Sequence, residues 1–174
     1  RTDYGEKEVA SFREQVRTFL VPLCQKLYDA QAKRLGIDHV MWYDEKMVFP
    51  DGNAEPAGDD AFMVKTAQKM YHEISPETGE FIDFMIDHEL MDLQNKPGKA
   101  STGYMTSLPS LKAPFVFSCF NHTIFDMQVL THELGHAFAG YMAMRSQPIS
   151  DYYSESTDIA EIHSMSMEQF AYPS

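Results

Sequence analysis

The residues with the clearest chemical potential are two histidines four positions apart, with a glutamate directly after the first. They form the segment His132-Glu133-Leu134-Gly135-His136, which reads H-E-x-x-H. Residues four apart on a helix lie one above the other, so both imidazoles project from one face and can bind a single metal ion. Glu133 is then placed to reach a water held by that ion. The pattern predicts the metal ligands and the general base of a zinc peptidase.

The flanking residues predict the helix that this motif needs, over residues 123–145. Thr123 and Asp126 form a Thr-x-x-Asp helix start. Two histidines on the inner side of such a helix must satisfy their ring nitrogens. Hydrogen bonds alone would do so, but a metal is the favoured interpretation. The candidates for the buried face are Phe125, Val129, Leu130, Leu134, Ala137 and Phe138.

A second segment has the same opening and serves as an internal control. It is His88-Glu89-Leu90-Met91-Asp92, in which aspartate replaces the second histidine. Without the second imidazole, a metal-binding pair is missing. We interpret this copy as an ordinary helix surface.

The third metal ligand must come from elsewhere in the chain. Metzincins continue with glycine and histidine at the third and sixth positions after the second histidine, where this chain has Ala139 and Met142. That class is excluded. A second helix is predicted over residues 150–172, and on it Glu161 and Glu168 are two turns apart on nearly the same face. Spacing alone does not choose between them. The acidic candidates in this segment are Asp151, Glu155, Asp158, Glu161 and Glu168.

The two helical segments together resemble a known family. Residues 121–137, with H-E-L-G-H-A, and residues 158–168, D-I-A-E-I-H-S-M-S-M-E, are similar to the catalytic core of the oligoendopeptidase F and thimet oligopeptidase family of zinc metallopeptidases. The resemblance implies one zinc ion with Glu161 as its third ligand. It also implies that Glu168 supports the site without binding the ion, and we assign Asp158 to the same supporting role.

The resemblance extends upstream to a glycine-containing segment before a substrate-binding strand, over residues 96–99 and 102–105. It implies that Gly103, Tyr104 and Met105 bind the backbone of a short peptide substrate. A strand that only covers the core is the alternative.

His163 stands where the thimet branch commonly has proline, which places the chain closer to bacterial oligoendopeptidases. It is two residues from Glu161, a separation that turns it about 200° around a helix. We expect it to be packed or hydrogen-bonded rather than to bind metal.

Family members are several-fold longer, so the resemblance implies that residues 1–174 are a single catalytic-core fragment. In the family, tyrosine and histidine donors to the reacting carbonyl lie on a loop downstream of this core. One such donor is worth about 3 kcal/mol, or roughly a hundredfold in rate. We therefore expect this chain to bind zinc but to cleave peptides feebly or not at all. A structural zinc-binding domain without turnover is the alternative.

Composition excludes several other functions. The net charge of −12, from 14 basic and 26 acidic residues, argues against nucleic-acid binding. No apolar run approaches a membrane span, and the N-terminus lacks a signal-peptide pattern. Cys24 and Cys119 do not form a disulfide framework, which favours a cytoplasmic location. Nothing in the sequence indicates an oligomeric state.

The expected fold is mostly α with a small antiparallel β-sheet, and the H-E-x-x-H helix packs against the second ligand helix in a zincin-like arrangement. Further helices are predicted over 3–35, interrupted at Pro22 and closed by Gly36, then from Asp59 or Asp60 to Ile74, and from Ser75 to Leu93. Strands are predicted over 38–49, 103–107 and 115–120.

Overall fold

The computed structural model describes residues 4–154 and 156–171, and the chain divides into two compact units, residues 1–54 and 55–174. The predicted class, mostly helix with one small sheet, is confirmed. No described helix is long and apolar enough to cross a membrane. The principal elements are α1 Glu6–Gln15, α2 Val21–Leu35, α3 Asp60–Ile74, α4 Pro76–Asp87, β1 Met91–Gln94, β2 Tyr104–Leu108, β3 Ala113–Phe120, α5 Ile124–Ser146 and α6 Thr157–Ala171.

The first unit is built on the predicted long helix, whose expected start at Asp3 lies outside the described residues. The expected interruption is a π-helical segment, Val16–Leu20, immediately before Pro22 in the first turn of α2. Pro22 has no backbone N–H to donate, and the change to the wider π-helical turn comes directly before the turn that contains it. Gly36 ends α2 in the left-handed conformation, with φ of 71°. Both features confirm the reading of the sequence.

The strand predicted over residues 38–49 is wrong, because this segment forms successive turns. The backbone N–H of Met47 donates to the carbonyl of Asp44, and the N–H of Asp44 donates to that of Met41. The buried amide of Gln31 on α2 donates to the carbonyl of Met47 at 2.7 Å. Local turn bonds and this side-chain anchor therefore satisfy the backbone that a sheet would otherwise pair.

The second unit begins with a helical hairpin whose start signals were correctly predicted. The Asp59 carboxylate accepts from the N–H of Phe62 at the start of α3, and the Ser75 hydroxyl accepts from the N–H of Thr78 at the start of α4. These contacts satisfy N–H groups that lack helical partners. The hairpin contributes much of the core, whose largest fully buried side chains include Met63, Tyr71, Phe81, Ile82, Met85, Val116, Leu130 and Leu134.

The sheet is mixed rather than purely antiparallel, which corrects the sequence-based expectation. Its order is β1-β3-β2, with β1 parallel and β2 antiparallel to β3. The predicted extension of α4 to Leu93 is also wrong, because the helix ends at Asp87 and the chain continues as β1. Leu90 and Leu93, both buried, fit a short strand as well as a helix, and so short an apolar run does not distinguish the two.

The predicted second ligand helix is shorter than expected. A 3₁₀ turn occupies Ser150–Tyr152, and α6 begins only at Thr157. Neither Ser150 nor Ser154 starts it. Instead, the carbonyl of Ser156 accepts from the N–H groups of Ile159 and Ala160. Glu155 and Tyr172 lie outside the described residues.

Candidate active site

Helix α5 begins where the Thr-x-x-Asp pattern predicts. The buried carboxylate of Asp126 accepts from the backbone N–H of Thr123 at 3.1 Å and from the N–H of Asn121 at 3.1 and 3.2 Å. The Asp126 carboxylate satisfies N–H groups at the start of α5. Its negative charge also interacts favourably with the positive end of the helix dipole. This contact fixes where the turns of α5 begin, and therefore the direction in which its histidines project.

Packing then sorts the side chains of α5. Leu130, Leu134 and Ala137 are buried in the core, as predicted, whereas Phe125 is exposed and Val129 and Phe138 are half-buried. His132 and His136 are half-buried, and they meet α6 on another side of the helix. The 3.6-residue period thus provides one face for the core and one for a site.

A glycine within the motif lets α6 come close to the histidines. A Cβ at Gly135 would lie 2.7 Å from Cα of Ser164 and 3.0 Å from Cβ of Met167. Any larger residue would push the two helices apart. The fourth position of the motif therefore sets the spacing across which α6 presents its acidic residues.

The structure brings three of the predicted residues together. Nε2 of His132 lies 3.3 Å from Oε2 of Glu161, and Nε2 of His136 lies 3.7 Å from the same oxygen. The two imidazole rings meet edge to face, with centroids 4.9 Å apart. One ligand atom from each of the three residues falls within 4.8 Å of the other two. Among the described residues, this is the group of histidine, cysteine and acidic side chains that could hold a metal ion.

The spacing of these donors fits zinc. Two tetrahedral ligands, each about 2.1 Å from an ion, lie about 3.4 Å apart. The separations of 3.3 and 3.7 Å between the histidine nitrogens and the Glu161 oxygen match that value. Two neutral imidazoles and one carboxylate also form a donor set that zinc uses in catalytic sites, where a fourth position is left for water.

Glu168 supports this geometry from behind His132. Its Oε1 lies 2.7 Å from Nδ1 of His132, and its Oε2 accepts from the side-chain amide of Gln128 at 3.1 Å. An ionised carboxylate can only accept, so Nδ1 is the donor in this contact, and in the neutral imidazole Nε2 is then the nitrogen with a lone pair for a metal ion. A carboxylate in such contact with an imidazole can orient it as a zinc ligand.

Glu133 is buried beside the first residues of β2. A Cβ added to Gly103 would lie 3.2 Å from Oε1 of Glu133, and the backbone N–H of Met105 faces the Glu133 carboxylate. Burial raises the pKa of Glu133. The charge of Glu161 adds to that rise, while His132 and the Met105 bond oppose it. The result is a carboxylate that holds a proton more readily than a free glutamate.

The remaining predicted residues are placed as follows. Asp158 is exposed in the first turn of α6, so its supporting role stays a prediction. His163 lies outside the group of three donors, and its backbone carbonyl faces Gly135. Tyr104 is exposed and stacks on Phe117 across the sheet.

Two side chains at the site were not singled out from the sequence. Gln128 donates to Glu168, and Ser164 donates to Oε2 of Glu161 at 2.8 Å. A helical signal exists for both. Gln128 precedes His132 by one turn, and Ser164 follows Glu161 by one turn. Each residue therefore lies one turn from a residue with a predicted role. The partner of Gln128, however, is Glu168 on the other helix, and the spacing within α5 does not reveal that contact.

The fold brings together, from two packed helices, three donors that could hold a metal ion, with a buried carboxylate beside them. A sequence profile of Peptidase family M3 matches residues 59–173, which cover the whole of this site. The chain belongs to peptidase family M3. No curated protein sequence matches the chain.

Solved structures agree with this assignment. A structure named PZ peptidase A, solved with an inhibitor, is 50% identical, with a TM-score of 0.95 over 99% of this chain and 31% of its own. A Bacillus anthracis protein described as oligoendopeptidase F is 46% identical, with a TM-score of 0.95 over 99% and 32%. A Chlamydophila abortus protein described as a peptidase, 20% identical with a TM-score of 0.63 over 87% and 25%, shares the fold. The chain spans about a third of the length of the first two structures.

Proposed function

We propose that this chain carries the metal centre and the general base of a zinc-dependent endopeptidase that cleaves short oligopeptides. The observation that carries the proposal is the convergence of His132, His136 and Glu161, with ligand atoms within 4.8 Å of one another. Membership of peptidase family M3 supports the reaction class. Two of the similar structures are described as oligoendopeptidase F, which supports the substrate class.

Each ligand has a defined part in holding the ion. His132 and His136 would bind it through Nε2, and Glu161 through Oε2. Glu168 would keep His132 in the required tautomer through its contact with Nδ1. Zinc bound there would polarise a water and lower its pKa to about 7.

Glu133 would do the proton chemistry. Its carboxylate accepts the proton of the attacking water and later delivers it to the leaving amine nitrogen. Burial raises the pKa of Glu133, which makes its carboxylate a better proton acceptor once it is ionised. The N–H of Met105 faces the same carboxylate and favours its ionised form, which is the form that accepts a proton.

The substrate would bind along β2, next to the base. Within the described residues, β2 is an outer strand that pairs only with β3. An extended peptide can add to such an edge through backbone hydrogen bonds, which place few demands on its side chains. Gly103 and Met105 both lie against Glu133, and this supports assigning Gly103, Tyr104 and Met105 to substrate binding.

Two further predictions accompany this function. We expect a cytoplasmic location, which agrees with free thiols at Cys24 and Cys119. We expect peptides, and neither nucleic acid nor membrane, as the partners of this acidic chain.

The test measures metal content and peptide cleavage on the same samples. The chain is stripped with a chelator, reloaded with Zn²⁺ and assayed with an internally quenched fluorescent peptide. We expect one zinc per chain and slow cleavage that chelation abolishes and Zn²⁺ restores. Glu133→Gln should keep the zinc and lower cleavage by about 10²- to 10⁴-fold.

Glu89→Gln is the matched control, because it makes the same change in the other H-E-L segment. It should leave both metal content and cleavage unchanged. Bound zinc that lacks an exchangeable water, together with no cleavage in the parent chain, would favour the structural zinc domain. A chain that binds no zinc would contradict the proposed function altogether.

A further inference from the structure

Ser164 occupies the point where α5 and α6 approach each other most closely. Its side chain is fully buried, and its Cα faces the position where a Gly135 side chain would begin. A larger residue at this point would separate the two helices. Size alone is satisfied by alanine or glycine, so the hydroxyl of Ser164 requires its own explanation.

That hydroxyl has two acceptors, both on Glu161. It lies 2.8 Å from Oε2 and 3.2 Å from the backbone carbonyl of the same residue. The bond to the backbone is common for serine within a helix and implies no function. The bond to the carboxylate is shorter, and a charged acceptor makes it the stronger of the two.

The carboxylate oxygen that accepts from Ser164 is the one that faces the histidines. Oε2 of Glu161 lies 3.3 Å from Nε2 of His132 and 3.7 Å from Nε2 of His136. The Glu161 side chain is 42% exposed, so packing alone does not fix its rotamer. One hydrogen bond from a buried, immobile donor would fix it.

We propose that Ser164 is a positioning residue that holds Oε2 of Glu161 toward the two imidazoles. The inference rests on the proposed metal centre and extends it to a residue that does not touch the ion. A preset carboxylate loses less rotamer freedom when the ion binds, so metal affinity rises without a new ligand.

The test is the Zn²⁺ affinity of Ser164→Ala, measured by competition with a chromophoric chelator. The substitution removes one oxygen, fits the space and suits a helix. We expect the affinity to fall by about 10- to 100-fold, as for other groups that orient metal ligands. Ser166→Ala is the matched control. It removes a hydroxyl from the same helix, two residues away and on another face, and should leave affinity unchanged.

A double-mutant comparison separates positioning from general packing. In a Glu161→Ala chain there is no carboxylate to orient, so adding Ser164→Ala should change the remaining affinity by less than about twofold. With Co²⁺ in place of zinc, Ser164→Ala should also alter the visible absorption spectrum, which reports the ligand geometry. Ser166→Ala should not.

The outcomes distinguish this inference from the function on which it rests. Equal Zn²⁺ affinity in the parent and Ser164→Ala would overturn the positioning role and leave the metal centre intact. The same loss with and without Glu161 would also overturn it, as would a Ser164→Ala chain that is unfolded in chelator. A parent chain that binds no Zn²⁺ would overturn both proposals.

Discussion

The two H-E-L segments of this chain share three residues and differ in everything that surrounds them. His132 and Glu133 lie in the middle of α5. His88, by contrast, is the C-cap residue of α4, and Glu89 after it has a left-handed φ of 53°. Because the helix stops there, Asp92 lies on β1 instead of one turn above His88. The predicted helix surface for this second copy is therefore wrong.

The comparison shows that two residues four positions apart share one face only where a helix continues through both of them. The imidazole of His88 turns back to the carbonyl of Phe84 at 3.0 Å, and Asp92 pairs with Lys96 and Lys99 at 3.0 and 3.1 Å. Those groups are satisfied locally. In the first segment, by contrast, the partners come from a second helix, which is how a site is assembled.

The largest difference should appear when the first histidine of each segment is removed. His132→Ala deletes a proposed metal ligand and removes the imidazole that faces Oε1 of Glu168. Zn²⁺ affinity should fall by more than about a hundredfold, since even residues that only orient ligands cost 10- to 100-fold. His88→Ala should leave it unchanged. Chelator competition measures both, and equal affinities for the two variants would refute the distinction between the segments.

The next difference concerns the fourth position, which is Gly135 in one segment and Met91 in the other. Gly135→Ala would place a Cβ 2.7 Å from Cα of Ser164, so α5 and α6 must separate. We expect a loss of about 1–3 kcal/mol in the free energy of unfolding, measured by denaturant titration.

Gly140→Ala is the control for that substitution, on the same helix. Its Cβ would meet its nearest neighbour, Cε of Met105, at an ordinary 3.5 Å. The unfolding free energy should then stay constant or rise by up to about 1 kcal/mol through helix propensity. If Gly135→Ala and Gly140→Ala have the same effect, the close contact between α5 and α6 does not restrict the size of the residue at position 135.

The starts of the helices could be predicted from the sequence, because their signals are local. Thr123 with Asp126, Asp59, and Ser75 before Pro76 all act within one turn of the position they mark. The strand β1 could not be predicted, because its pairing with β3 depends on a partner more than twenty residues away. The strand prediction for residues 38–49 was wrong for a related reason, because the segment is held by a hydrogen bond from Gln31 on α2.

The site divides along the same line. The spacing of His132 and His136 is local, so their shared face could be predicted. The choice of Glu161 over Glu168 depends on how α6 crosses α5, so residue spacing leaves it open and the family resemblance alone favours Glu161. Ser164 was missed because its importance comes from its contact with Gly135 on the neighbouring helix.

A smaller difference should separate the two glutamates in the metal-free chain. Burial raises the pKa of Glu133 above its ordinary 4.5, so the folded chain binds that proton more tightly than the unfolded chain. The resulting stabilisation is present below pH 4.5 and is lost as pH rises through the folded-state pKa. Glu133→Gln should therefore raise the melting temperature in chelator at pH 7, and much less at pH 4.

Glu89→Gln provides the comparison, because Glu89 is exposed. It should leave the melting temperature unchanged at both pH values. A Glu133→Gln gain that is equally large at pH 4 and pH 7 would show that burial of the charge is not its cause.

The smallest effect should come from Glu89, which directly follows the C-cap residue of α4. Glu89 holds a φ of 53°, which costs a residue with a Cβ about 1 kcal/mol or more, and glycine avoids that cost. Glycine loses more backbone entropy on folding, so Glu89→Gly should stabilise the fold by at most about 1 kcal/mol. At pH 4, where burial of the Glu133 charge matters least, the same change at Glu133, inside a helix, should destabilise the fold by about 1 kcal/mol or more through helix propensity and lost packing. Opposite signs in denaturant titration would confirm that backbone conformation separates the two segments, whereas a loss of stability at both positions would contradict it.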